Sequence, residues 1–141
     1  MAGTVLANCI YTDIYPTNSQ DVCVHQAAFT EAKVIVCDTY KRLKEKFLDS
    51  KEFLNLKVKC AILFKEGILP QSSKFSYFNG DIKIYNWTQA LQLGQEVENR
   101  VIMRKVDNQR PTMCCNIVFT SGLVGDTKGV LLSHDNMTWF W

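Results

Sequence analysis

The chain has 141 residues, of which 47% are hydrophobic and 21% are charged, and its formal net charge is +2. This balance is typical of a folded globular domain and excludes a disordered tail. The small charge does not favour nucleic-acid binding, because nucleic-acid-binding domains concentrate lysine and arginine on one surface. No apolar stretch reaches the roughly 18 residues of a membrane-spanning helix, so we expect no transmembrane segment.

The six cysteines do not form a metal-binding pattern, because no two of them are separated by two residues. Four of them lie in apolar runs and are predicted to be reduced, buried thiols: Cys37, Cys60, Cys114 and Cys115. This cysteine spacing leads us to expect no bound structural metal. The N-terminus lacks the positively charged region of a secretory signal, so we expect a cytoplasmic protein.

The first predicted helix begins after Asn18 or Ser19 and runs to about Ala32, with Asp21 in its first turn. Its expected buried side consists of Val22, Cys23, Ala27 and Phe29. A second helix is predicted over residues 39–48, where Leu43 and Phe47 share one face. A third should begin after Asn86, with Trp87, Ala90, Leu91 and Val97 on its buried side.

Three continuous apolar runs are predicted to be buried strands, at residues 34–37, 58–64 and 114–119. Strands that alternate with helices predict an α/β fold, with a mostly parallel sheet that contains these strands and is flanked by helices. Residues 67–81 are expected to form an irregular connection that ends in a turn at Asn79-Gly80. Residues 133–141 carry helix-start signals and end after about one turn, so we expect an incomplete piece of a larger domain.

A segment rich in glycine and hydroxyl groups follows the third run and is the candidate for ligand binding. Its residues are Thr120, Ser121, Gly122, Leu123, Val124, Gly125, Asp126, Thr127, Lys128 and Gly129. Glycines allow backbone N–H groups to approach phosphate oxygens, and a lysine adds a positive charge. The segment is not a Walker A loop, because Thr127 and Gly129 stand where that pattern needs Gly and Ser or Thr. On composition alone, a polar hairpin turn with an exposed lysine explains it equally well.

This segment resembles the signature T-S-G-T-T-G-x-P-K-G of adenylate-forming enzymes, and residues 130–136 resemble its continuation in acyl-CoA synthetases. Other segments are similar to the bubblegum-type long-chain acyl-CoA synthetases: residues 15–23, 85–87, 93–94 and 109–115. The resemblance implies that residues 1–141 are part of the large N-terminal domain, and that a C-terminal lid domain is absent from them.

The resemblance also implies a reaction in which ATP activates a long-chain fatty acid and coenzyme A captures the acyl group. It assigns the signature segment to the ATP phosphates, with Mg²⁺ held by an acidic residue later in the family's sequence. It implies peripheral association with the endoplasmic-reticulum surface and no catalytic residue within this chain. His134 could line the pocket in such an enzyme, whereas His25 is expected to be a surface residue.

Departures from the signature lead us to expect weak ATP binding. Leu123 and Val124 replace two threonines of the signature, and Thr127 replaces its proline. We therefore expect the chain alone to be inactive as a ligase. The alternative is a non-catalytic remnant that serves as a weak nucleotide-binding or interaction module.

Overall fold

Residues 1–65, 74–77, 80–120 and 127–139 are described by a computed structural model, and they belong to two units. Unit 1 is formed by Met1–Tyr15 and Val97–Trp141, and unit 2 by Pro16–Glu96. The strands are β1 (Tyr11–Thr12), β2 (Val34–Cys37), β3 (Cys60–Leu63), β4 (Lys74–Tyr77), β5 (Gly80–Asn86), β6 (Cys114–Thr120) and β7 (Lys128–Ser133). The helices are α1 (Ala2–Leu6), α2 (Gln20–Phe29), α3 (Tyr40–Leu43), α4 (Trp87–Gln95), α5 (Asn99–Asp107) and α6 (His134–Trp139).

Unit 2 contains a four-stranded sheet in the order β2-β3-β5-β4. The first three strands are parallel, with Val34 opposite Cys60 and Cys60 opposite Lys83, whereas β4 runs antiparallel to β5. The predicted parallel pairing of the first two apolar runs is therefore confirmed. The prediction of an α/β fold with helices beside a mostly parallel sheet is also confirmed.

Helix α2 begins where the sequence predicted, because the Ser19 hydroxyl accepts a hydrogen bond from the Val22 N–H at 3.4 Å. The helix ends at Phe29 and not at Ala32, because Glu31 has a left-handed backbone conformation with φ of 48°. Cys23 and Ala27 are buried as expected. Phe29 is 62% exposed, so its predicted place on the buried side was wrong.

The second predicted helix is confirmed, although only its first turn is an α-helix. Thr39 caps α3, which continues directly as a π-helix over Lys44–Leu48. A 3-10 helix follows at Lys51–Asn55. Leu43 and Phe47 are both buried, and the Phe47 ring meets the Phe53 ring edge-on with centroids 6.3 Å apart. These elements supply much of the apolar core of unit 2.

Helix α4 starts after Asn86, where Asn86 and Gln89 form a reciprocal capping box. The predicted buried side of this helix was wrong. Trp87, Leu91 and Val97 are exposed, and Val97 lies beyond the end of the helix. The apolar spacing identified the helix correctly, but α4 has no buried residue at all.

The prediction of an irregular connection over residues 67–81 was wrong for its second half. β4 pairs with the start of β5, so that Tyr77 lies opposite Gly80. The alternation of polar and apolar residues in Lys74–Tyr77 is the pattern of an edge strand, and Gly80 begins the antiparallel partner strand. Residues 66–73, 78 and 79 lie outside the described part of the chain.

Unit 1 contains a three-stranded sheet in the order β1-β6-β7. The third apolar run, which was expected in the parallel sheet with the other two, forms β6 of this separate sheet. It pairs in parallel with the short β1 and antiparallel with β7. The earlier expectation failed because a continuous apolar run predicts a buried strand without identifying its neighbours.

Terminal helix α6 confirms the helix-start signals read in residues 133–141. The Asn136 N–H donates to the Ser133 hydroxyl at 3.1 Å, and the Ser133 N–H donates to Asn136 Oδ1 at 3.0 Å. No helix in the described ranges is long and apolar enough to cross a membrane.

Candidate functional site

The candidate phosphate-binding segment connects two antiparallel strands of unit 1. β6 ends at Thr120 and β7 begins at Lys128, and these two residues are direct cross-strand partners. β6 and β7 therefore form an antiparallel pair on either side of this segment. Residues 121–126, which include Ser121, Gly122, Leu123, Val124, Gly125 and Asp126, lie outside the described part of the chain.

Thr120 and Lys128 flank this connection on one face of the hairpin. Directly opposed residues of an antiparallel pair have side chains on the same face, with Cβ atoms roughly 4.5–5.5 Å apart. Both residues are exposed, so a hydroxyl and an ammonium group are presented together at the end of the hairpin. None of the ion pairs between described residues involves Lys128.

The next cross-strand pair of β6 and β7 contains a buried residue that holds the end of the hairpin in place. Phe119 is only 6% exposed and lies opposite Gly129, which is half-buried. Thr127, immediately before β7, is also half-buried. A buried aromatic residue at the end of β6 fixes the position from which the connecting segment leaves the sheet, which is where a strand would deliver a binding loop.

Strand β6 is also held on its other edge. The Thr12 hydroxyl donates to the Ile117 carbonyl at 2.7 Å, and β1 pairs in parallel with residues 116 and 117. The Gln109 side chain donates to the Val5 carbonyl at 2.6 Å, which ties the chain near the end of α5 to α1. Two side-chain bonds thus join residues of unit 1 that are more than 100 positions apart, and one of them is made directly to β6.

Asn116 is a residue that the sequence analysis passed over. It is buried in the middle of β6, and its Oδ1 has no hydrogen-bond partner among the described residues. The signal for it was a single amide between Cys115 and Ile117 in an otherwise apolar run. Because residues 116, 118 and 120 alternate with the buried Phe119, Asn116 lies on the Thr120 face, about 13 Å along the strand.

His134 begins α6 and follows Ser133, the end of β7 that lies about 17 Å along the strand from Lys128. It lines a pocket of about 220 Å³ together with Arg110, Asp135 and Thr138. Its backbone N–H donates to the Met113 carbonyl at 3.0 Å. The structure therefore does not place His134 beside Lys128, the described lysine of the candidate segment. His25 is exposed on α2, as expected for a surface residue.

Four of the six cysteines are poorly placed to supply a reactive thiolate. Burial raises the pKa of Cys23, Cys37, Cys60 and Cys115 above the usual value, which keeps these thiols protonated at neutral pH. Cys23, Cys37 and Cys115 are buried as predicted, while Cys60 and Cys114 are half-buried. No cluster of three or more metal-ligating side chains occurs within the described ranges.

An α/β fold with a glycine-rich segment leading to an exposed lysine is typical of proteins that handle phosphate groups. The particular family is shown by comparison with known proteins. The chain belongs to the AMP-binding enzyme family, whose model matches residues 1–141.

Curated relatives agree with this assignment. The chain is 37% identical over 137 residues to "Long-chain-fatty-acid--CoA ligase ACSBG1" of Rattus norvegicus, with 97% of the chain and 18% of the relative covered. It is 36% identical over 137 residues to the Homo sapiens protein of the same name, covering 97% and 17%. It is 32% identical over 142 residues to "Long-chain-fatty-acid--CoA ligase ACSBG2" of Xenopus laevis, again covering 97% and 17%. The chain thus spans less than one fifth of the length of these relatives.

Proposed function

We propose that this chain is the phosphate-loop segment of an ATP-dependent long-chain fatty acid:CoA ligase. The observation that carries the proposal is the register of the hairpin, which opposes Thr120 to Lys128 at the two ends of the glycine-rich connection. The names of the curated relatives indicate the reaction, in which a long-chain fatty acid is joined to coenzyme A. ATP is the expected donor of the adenylyl group, with pyrophosphate as the leaving group, because the chain belongs to the AMP-binding enzymes.

The described residues fit a polyphosphate in charge and in placement. Lys128 would neutralise the negative charge that accumulates on pyrophosphate as it leaves, and the Thr120 hydroxyl would donate a hydrogen bond to the same group. Both side chains are exposed on one face, so neither has to break a described contact in order to bind. Backbone N–H groups of the connecting segment would supply further donors.

We further propose that the chain does not complete the ligase reaction alone. The Mg²⁺-binding acid, the adenine pocket and the lid domain implied by the family would come from sequence outside the matched 137 residues. Purified chain incubated with ATP, coenzyme A and a long-chain fatty acid should form no acyl-CoA above a buffer blank. Formation of acyl-CoA that disappears in Lys128→Ala would show that the segment is catalytically sufficient.

A second candidate is a non-catalytic module with little affinity for nucleotides, and it is favoured by the apolar residues Leu123 and Val124. Each hydroxyl-to-phosphate hydrogen bond is worth roughly 1.5–3 kcal/mol, so replacing two threonines costs about 3–6 kcal/mol. That loss corresponds to about two to four orders of magnitude in affinity. A single exposed lysine contributes about 1 kcal/mol or less and offsets only part of it.

Calorimetric titration with ATP and with pyrophosphate tests whether the loop binds phosphate groups in the way the signature implies. The chain as it stands should bind in the millimolar range or not at all, whereas Leu123→Thr with Val124→Thr should tighten binding by about 10²–10⁴-fold. Adding Lys128→Ala to that double variant should weaken binding again. The matched control is Lys105→Ala, which removes an exposed lysine from α5. Micromolar binding by the unmodified chain, or weaker binding by the double variant, would contradict the proposed loop geometry.

A further inference from the structure

The outer strand of the unit 1 sheet is open along one edge within the described part of the chain. β7 is the last strand in the order β1-β6-β7, and among the described strands it pairs only with β6. A strand at the edge of a sheet presents a row of unpaired backbone N–H and C=O groups, which another strand can bind. The opposite edge of the same sheet is β1, which has only two residues and offers a much shorter row.

The sequence of β7 lacks most of the features by which edge strands avoid such pairing. Natural edge strands are commonly very short or carry proline or charged residues. β7 has six residues and no proline, and its one charged residue is Lys128 at its start. The centre of the strand is apolar and accessible, since Val130 is 43% exposed and Leu131 is 66% exposed. The edge can therefore accept another strand along residues 129–133.

The residues of β7 suit a second copy of the same strand. A two-fold axis perpendicular to the sheet relates two identical antiparallel strands, and it places one residue opposite its own copy. With Leu131 at the axis, Val130 lies opposite Leu132. With Val130 at the axis, Lys128 would instead lie opposite Leu132. The first register pairs apolar residues with one another and leaves Lys128 beyond the paired residues 129–133.

The charge at the start of β7 also favours an antiparallel pair. In that arrangement the two copies of Lys128 lie at opposite ends of the paired strands, roughly 20 Å apart. A parallel pair would place the two lysines side by side, where like charges destabilise the pairing. Because Lys128 lies outside the paired residues, it stays accessible to a phosphate group in the dimer.

We propose that β7 is a homodimerisation edge, at which residues 129–133 of two copies of this chain pair antiparallel about Leu131. The product is a continuous six-stranded sheet in the order β1-β6-β7-β7-β6-β1. Five residues per strand form a small interface, so the dimer is weak and forms only at high protein concentration. The proposal rests on the edge strand alone and does not depend on nucleotide binding by the chain.

Sedimentation equilibrium of the 141-residue chain measures this association directly. The apparent mass should rise from 16.1 kDa towards twice that value as the concentration increases from micromolar to millimolar. Leu131→Lys places two like charges opposite each other at the axis and should weaken dimerisation at least about tenfold. Leu131 is exposed in the monomer, so circular dichroism should show this variant fully folded. Leu91→Lys, at an exposed leucine of α4, is the matched control and should dimerise like the unmodified chain.

A charge exchange between two variants tests the register. Leu131→Glu alone should also be monomeric. An equimolar mixture of Leu131→Lys and Leu131→Glu should regain the dimer, because the opposed charges are then complementary. Hydrogen exchange gives a readout at the strand itself. Backbone amides within residues 129–133 should exchange more slowly as the concentration of the unmodified chain rises, while those of α5 should not change.

Three results would overturn the proposal. A chain that stays monomeric up to millimolar concentration has no pairing edge at β7. A dimer that persists in Leu131→Lys, or that is lost equally in Leu91→Lys, uses another surface. Failure of the two mixed Leu131 variants to associate would show that this residue does not lie opposite its own copy.

Discussion

The two sheets of this chain are packed to different degrees. In unit 2, the parallel strands and the helical elements α2, α3 and the adjoining π- and 3-10 helices all contribute buried side chains, and both Leu43 and Leu63 are fully buried. In unit 1, the hairpin that carries the candidate loop has an exposed outer strand, and Leu131 of β7 is 66% exposed. The helices of unit 1 contain no buried residue.

This difference separates the part of the molecule that provides stability from the part that carries the loop. Apolar burial is the main favourable contribution to folding, and unit 2 contains most of the buried apolar side chains described. Binding loops are commonly presented from lightly packed segments on a firmer support. In unit 1 that support is local, and consists of the buried Phe119 and Cys115 with the backbone bonds of β6.

The largest predicted effect comes from a matched pair of leucine truncations in the two sheets. Leu63→Ala removes a fully buried side chain from the centre of the parallel sheet and should lower the free energy of unfolding by about 2–5 kcal/mol. Leu131→Ala truncates an exposed side chain and should change it by less than about 0.5 kcal/mol. Urea denaturation followed by circular dichroism measures both. Similar losses for the two variants would show that the outer strand of the hairpin is buried in solution.

The second predicted effect concerns the serines that cap a helix in each unit. Ser19→Ala should cost about 1 kcal/mol, because α2 carries Cys23, Val24 and Ala27 into the core and its unfolding exposes them. Ser133→Ala should change the global free energy of unfolding by less than about 0.5 kcal/mol, since α6 buries nothing and can fray locally. The same denaturation experiment tests this pair. A larger cost at Ser133 would show that α6 packs onto a surface of the protein.

Much of the fold could be predicted because local signals and tertiary packing agree in unit 2. The continuous apolar runs at 34–37 and 58–64, and the cap at Ser19, all correspond to observed elements. The errors arose where packing decides the outcome. Spacing alone placed Trp87 and Leu91 on a buried side, but burial depends on what another element places against them. The strands that pair with β6 also could not be predicted from the local sequence pattern, because strand pairing is a long-range property.

The residues of the candidate site could be predicted from the sequence, whereas their placement relative to one another could be predicted only in part. The motif identified Thr120 and Lys128, and their direct opposition across the hairpin is a consequence of strand register that composition does not contain. A stronger signal was available, because the apolar run at 130–132 after the glycine-rich segment indicates a second strand and hence a hairpin. The buried Asn116 was missed because one amide in an apolar run predicts burial without predicting its hydrogen bonds.

The smallest predicted effect concerns an ion pair that joins distant parts of unit 2. Glu31, just after α2, accepts a hydrogen bond at 2.7 Å from Lys57, which precedes β3. An ion pair between described residues of unit 1, Glu98 and Arg100, joins residues only two positions apart. A contact that spans 26 residues can restrict the folded chain more than one that forms within a single turn. Both Glu31 and Lys57 are well exposed, so the stabilisation is small and is screened by salt.

The direction in which pH changes the stabilisation by the ion pair follows from the hydrogen bond between Lys57 and Glu31. The hydrogen bond from Lys57, together with its charge, lowers the pKa of Glu31 from the usual value of 4.5. Because the folded-state pKa is lower than the unfolded one, the stabilisation is complete above pH 4.5 and is lost as the pH falls through the folded value. Glu31→Gln should therefore be slightly less stable than the unmodified chain at pH 7, and the difference should shrink as the pH falls below 4.5. Glu52→Gln, at an exposed glutamate of the 3-10 helix, is the control. If the stability difference caused by Glu31→Gln persists unchanged at pH 3, the two side chains are not paired in solution.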